Sequence, residues 1–113
     1  MRISKDDEAY YIEMMYLLST LEGYCLGEIY RHFAKKFEWD YHVLSPDGFK
    51  DRINQIIFNL LQYEVAFMIQ GYVYLHEDVV SVGEEIIPVL RKHQKWRHCS
   101  DSLHRENAEG GLS

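Results

Sequence analysis

The residues with the most recognisable chemistry form one helical face in the middle of the chain. If Phe49, Ile53 and Leu60 point inward at helical spacing, then Asp51, Arg52, Asn54, Gln55, Phe58, Asn59 and Gln62 point outward. Asn and Gln can pair with adenine edges, and Arg52 can pair with guanine or a phosphate. Asp51 repels phosphate, and Phe58 falls near the centre of the face, where an aromatic flanked by amides acts as an anchor for a protein partner. Phe58 can equally be covered by the C-terminal tail or the following hairpin.

Enzymatic chemistry finds less support. The histidines are His32, His42, His76, His93, His98 and His104. The cluster His93, His98, Cys99 and His104 matches no usual zinc spacing, so no metal or other cofactor is expected. Gly23 and Gly27 lack the strand context of a phosphate loop. Ser19, Ser45 and Ser81 occupy helix or cap positions. Cys25 precedes an expected helix start, where a thiol pKa can fall, but no base is indicated beside it. Glu84 and Glu85 diverge on a helix. These readings point away from an enzyme.

Charge weighs on the choice of partner. The chain carries −6 overall; residues 1–90 carry −8 and residues 91–113 carry +2. An acidic body opposes phosphate binding and suits a basic protein. The positive end contains "RKHQKWRH", with Arg91, Lys92, Lys95 and Arg97 around Trp96. Such a cluster can track phosphates and stack on a base, or Trp96 can pack on the first helix while the cations stay solvated.

The elements that must position these residues are mostly helical. The 113-residue length implies one domain, and a 47% hydrophobic composition supports a core. No stretch of ~18 uncharged apolar residues exists, so no membrane span is expected. "MRISKDDEAYY" has no apolar signal segment, and two isolated cysteines make no disulfide framework; both fit a cytoplasmic protein.

Ser4 and Asp7 have capping-box spacing, so a first helix starts after Ser4, with Gly23 as its stop. Tyr10, Met14, Leu17 and Leu21 share one face; Ile12, Met15 and Tyr16 share another, which meets either the C-terminal helix or a second subunit of a homodimer. "YCLGEIYRHFAKKF" reads as a short extended piece and a second helix that buries Leu26, Ile29, Phe33 and Phe37 while Arg31, Lys35 and Lys36 stay solvated. In "EWDYHVLSPDG", Trp39, Tyr41 and Val43 alternate as a short extended piece. Ser45 as N-cap and Pro46 at the first position start a third helix that buries Phe49, Ile53, Ile56, Ile57 and Leu60.

Gln70-Gly71 separates two apolar runs, a hairpin signal. Val65, Phe67 and Ile69 point one way; Val73 and Leu75 share a face, with Tyr72 and Tyr74 opposite. A fourth helix follows, with Ser81 and Glu84 at cap spacing and Pro88 disturbing it. Residues 99–113 read as a polar, frayed tail.

The segments "LGEIYRHFAKKF" and "FKDRINQIIFNLLQYEVAFMIQGYVYLHE" look like the second helix, recognition helix and wing of the winged helix-turn-helix superfamily. The resemblance covers about residues 5–92 and implies a mainly α, winged-helix-like domain over residues 1–98. It comprises three helices, a wing hairpin at Gln70, Gly71 and Tyr72, and a C-terminal helix. Two departures stand out: a long turn between helices two and three, and Glu64-Val65 where many members place Gly. The implied default function is duplex DNA binding by a transcription regulator. The wing carries no cation, which suits a phosphate clamp poorly. The alternative is an acidic protein-interaction module, such as an adaptor, an inhibitor or an immunity-type protein that masks a basic partner.

Overall fold

Ser4 stands in extended backbone, and the amides of Asp7 and Glu8 both donate to its carbonyl at 3.1 Å, which starts α1 (Lys5–Leu18). The computed structural model describes residues 3–20 and 22–76. The Ser4 hydroxyl caps no backbone amide and donates instead to Asp7 Oδ2, so the capping box is replaced by a side-chain bond. Asp6, Asp7 and Glu8 still place negative charge at the positive end of the helix dipole.

Helix α1 stops earlier than Gly23. The Ser19 amide bonds back to Met15 and Tyr16, and the Ser19 and Thr20 hydroxyls donate to the carbonyls of Tyr16 and Leu17. Hydroxyl groups thus satisfy the carbonyls that a glycine stop would otherwise leave to backbone amides. The helix buries a single broad stripe of Tyr10, Tyr11, Met14, Met15 and Leu18, with Ile12, Tyr16 and Leu17 partly buried against it. Met15 is therefore a core residue and not part of a separate outer face. Leu21 lies outside the described residues.

After the turn come β1 (Tyr24–Cys25) and α2 (Leu26–Lys36). Helix α2 buries Ile29 and Phe33 and rests Leu26 and Phe37 on the core, while Arg31, Lys35 and Lys36 are exposed, as the spacing implies. His32 Nε2 lies 2.8 Å from Glu13 Oε1 and ties α2 to α1.

The stretch expected to be extended is instead a short helix, α3 (Glu38–Val43). Phe37 breaks the backbone between α2 and α3, and bonds from Tyr41 to Phe37 and from Leu44 to Asp40 wind the next turn. Alternation at three positions does not distinguish a strand from one and a half turns of helix. Tyr41 meets Phe49 edge-on at 5.4 Å; Trp39 and Val43 remain exposed.

Helix α4 (Pro46–Gln62) follows its sequence signals closely. The Ser45 hydroxyl accepts from the Gly48 amide at 3.0 Å, Pro46 starts the helix, and Phe49, Ile53, Ile56, Ile57 and Leu60 are all buried. At its far end the Glu64 amide bonds to the Leu61 carbonyl and the Val65 amide to the Leu60 carbonyl. This is a Schellman stop, with Glu64 in the left-handed position at φ 60° and Leu60 and Val65 both fully buried. Glu64 therefore occupies the conformation that a glycine would favour.

The chain continues directly into β2 (Ala66–Ile69) and β3 (Tyr72–Leu75), joined by Gln70 and Gly71, both at positive φ. Two positive values in a two-residue loop match the right-handed twist of a hairpin. Strand β3 pairs antiparallel with β1 on its other side, giving the order β1-β3-β2. Ala66, Val73 and Leu75 face the core, and Val65 is buried just before the strand, while Phe67 is half-buried and Ile69 exposed. The described chain is thus mainly helical with a small antiparallel sheet. The expected fourth helix around Ser81, Glu84 and Pro88 and the tail over 99–113 lie outside the described residues.

Glu64→Gly tests the stop. An L residue in the left-handed region costs about 1 kcal/mol more than glycine, so the variant should raise the urea midpoint by an equivalent amount with an unchanged slope. A lowered midpoint would contradict the geometry.

Candidate functional site

The outward residues of α4 are brought together as their spacing implies, but most have partners within the molecule. Arg52 Nε donates to Asp7 Oδ1 at 3.2 Å, and one terminal nitrogen donates to the Asp6 carbonyl at 2.7 Å. The other lies 3.7 Å from Asp40 Oδ2. The guanidinium carbon sits 4.0 Å from the centre of the Tyr10 ring. One cation therefore joins α1, α3 and α4, with two carboxylates beside it and an aromatic face against it.

Tyr10 completes the arrangement. Its ring stacks on Phe37 at 4.2 Å, and its hydroxyl donates to Asp40 Oδ2 at 2.6 Å. Burial, reinforced by the bond to Asp40, pushes its pKa well above the ordinary tyrosine value. Tyr11 is also raised by burial, while its bond with Asn59 works in the opposite direction. Ser4, Asp6, Asp7, Asp40 and Arg52 border an open cleft of about 450 Å³. Carboxylates on both sides of the guanidinium make this cleft hostile to a phosphate.

The amides are engaged too. Asn59 Nδ2 donates to the Tyr11 hydroxyl at 2.8 Å, and Gln55 Nε2 donates to Asn59 Oδ1 at 3.2 Å. The Tyr30 hydroxyl donates to Asn54 Oδ1, with Lys50 Nζ 5.6 Å from the Tyr30 ring centre. Asp51 and Gln62 are exposed. Phe58 keeps 58% of its surface exposed, so the described residues do not cover it.

At the hairpin turn, Gln70, Gly71 and Tyr72 are all exposed, and no charged residue occurs between Val65 and Leu75. The basic group Arg91, Lys92, Lys95, Trp96 and Arg97 lies outside the described residues. Of the three residues assigned to a subunit contact, Met15 is fully buried and Ile12 and Tyr16 are partly buried. Sequence reasoning missed Asp40 and Tyr10 as partners of Arg52, and it missed Trp39, which is 78% exposed on α3. Only the run of acids at the start of α1 hinted at an acceptor for a cation.

Among the described residues, no three His, Cys, Asp or Glu side chains converge to hold a metal ion, and no helix is long and apolar enough to cross a membrane. Comparison with protein-family models, curated proteins and solved structures yielded no match.

Arg52→Met should lower stability by about 1–2 kcal/mol, because two carboxylates lose their shared cation at a half-exposed site. Arg52→Lys should recover only part of the loss, since an ammonium cannot bridge the same groups. Urea unfolding of the three proteins checks both, and equal midpoints would remove the network from the account.

The tyrosines give a pH dependence. Their folded pKa values lie above the unfolded value near 10, so they contribute stability below that value and lose it as pH rises past it. Tyr10→Phe should therefore flatten the fall in unfolding midpoint above about pH 10. An unchanged alkaline profile would contradict the burial assigned to the Tyr10 hydroxyl.

Proposed function

We propose that this chain is a small, acidic, winged-helix-like interaction module that uses the exposed face of α4 to hold a protein partner. The observation that carries the reading is the pairing of a committed Arg52 with an uncovered Phe58 on the same helix. A nucleic-acid reader needs cations aimed outward, and Arg52 is satisfied within the fold. A protein-binding face needs an apolar anchor with polar surroundings; Phe58 between Asp51, Gln55 and Gln62 has that composition.

Two further features support the reading. The order of helices running straight into a hairpin is in keeping with the winged-helix resemblance, and that superfamily's architecture does not by itself require DNA. The described residues also hold 11 acidic and 6 basic side chains, which favours a basic protein over a polyanion. DNA regulation ranks second here, because the hairpin contributes no cation and Asn54, Gln55 and Asn59 of α4 are already bonded.

Photo-crosslinking tests the proposal. A photoreactive phenylalanine at position 58, introduced in the cells of origin, should yield one discrete protein adduct that Asp51→Lys diminishes. With that partner purified, Phe58→Ala should weaken binding by about 2 kcal/mol or more and leave stability within about 0.5 kcal/mol of the parent. Adducts with nucleic acid would overturn the reading, as would intact binding by Phe58→Ala.

A further inference from the structure

The outward face of the sheet is a second surface with a definite chemistry. Directly opposed residues of an antiparallel pair share a face. Cys25 opposes Tyr72, which opposes Ile69; these three form one row. Tyr74 opposes Phe67 in the next row, and their rings stack at 5.4 Å and 15°. Ala66, Val73 and Leu75 take the other face, into the core. Ile69 and Tyr72 remain 54% and 44% exposed.

The face extends across β1 because Gly23 has no side chain. The Tyr74 hydroxyl lies 2.6 Å from where a Cβ on Gly23 would stand, so its ring lies over that backbone. Among the described residues, two carboxylates lie along this border, while His76 meets Phe67 edge-on at 6.4 Å and Arg31 bonds the Gly27 carbonyl beside Glu28. Glu28 Oε1 accepts from Cys25 Sγ at 3.1 Å, and exposed Glu22 immediately precedes Gly23. No lysine or arginine is present in the sheet or its turn.

An apolar, aromatic centre with carboxylates along one border is complementary to a segment that carries the reverse pattern. We infer that the outer sheet face, centred on Ile69 and Tyr72 and bordered by Glu22 and Glu28, docks a basic protein segment that inserts an apolar side chain between flanking lysines or arginines. The apolar anchor supplies burial and the border supplies orientation and on-rate. A polyanion is repelled by the same border. A second copy of this chain is disfavoured, since it would set Glu22 and Glu28 against another net-negative body. This surface is separate from the α4 face, so the two can be tested independently.

The test uses the full chain and three short labelled peptides: one of alternating Phe and Lys, one of alternating Phe and Glu, and one of alternating Ser and Lys. Fluorescence anisotropy gives affinity, and backbone amide shifts give location. The Phe/Lys peptide should bind at least about tenfold more tightly than either control, with shifts in β1 and β3. Ile69→Ser with Tyr72→Ser should reduce its affinity at least about tenfold, with the melting temperature checked alongside. Glu22→Gln with Glu28→Gln should reduce affinity about threefold at low salt and have little effect at high salt. Phe58→Ala should leave peptide binding unchanged, which separates this surface from the α4 reading. No binding up to about 1 mM, equal binding of the Phe/Glu peptide, or shifts confined to α4 would overturn the inference. Concentration-dependent dimerisation through the sheet would do so too.

Discussion

The guanidinium of Arg52 is the point on which the helical half of this molecule depends. It lies against the buried Tyr10 ring and binds the beginning of α1 through Asp7 and the Asp6 carbonyl, with Asp40 of α3 within ion-pair distance. These contacts fix three helices relative to one another with a single side chain. At this half-exposed site solvent screens each ion pair, so the guanidinium acts through several modest contacts together and not through one strong pair. Planarity matters as well: one flat group can stack on a ring and donate in the ring plane at the same time.

That constraint shapes the outer surface of α4. With its arginine turned along the surface into the neighbouring elements, α4 presents amides and an aromatic beside a single exposed cation, Lys50, near the Tyr30 ring. The amides then close small networks with Tyr11 and Tyr30, leaving Phe58 as the large apolar group on that face. At the other end of the helix, the Schellman stop at Glu64 sends the chain straight into β2, so the sheet is hung directly from α4. The two surfaces argued to bind protein are therefore carried on one rigid helix and the hairpin it feeds.

How much of this was legible in the sequence depends on how local the determinants are. Ser45, Pro46 and the buried series from Phe49 to Leu60 sit within one helix, and cap chemistry and helical period specify them without outside help. Gln70-Gly71 likewise encodes its own turn. Helix α3 was not legible, because six residues give too little period to separate a turn of helix from an extended piece. The breadth of the α1 stripe was misread for a related reason: Tyr11, Met15 and Leu18 are buried by contacts that amphipathic spacing alone does not reveal. Arg52 was placed on the outward side of its helix, but its partners within the fold were not foreseen. Asp7 is 45 residues away in sequence, and no local pattern signals such a pairing.

The central claim is that Arg52 of α4 is committed inside the fold. Titration of the protein against a random-sequence duplex at about 50 and 200 mM salt tests it most directly, because phosphate neutralisation appears as a steep loss of affinity with salt. The account predicts no measurable binding at either salt concentration. Tight low-salt binding that falls steeply with salt and is weakened by Arg52→Met without loss of fold would contradict it and return α4 to the role of a DNA reader.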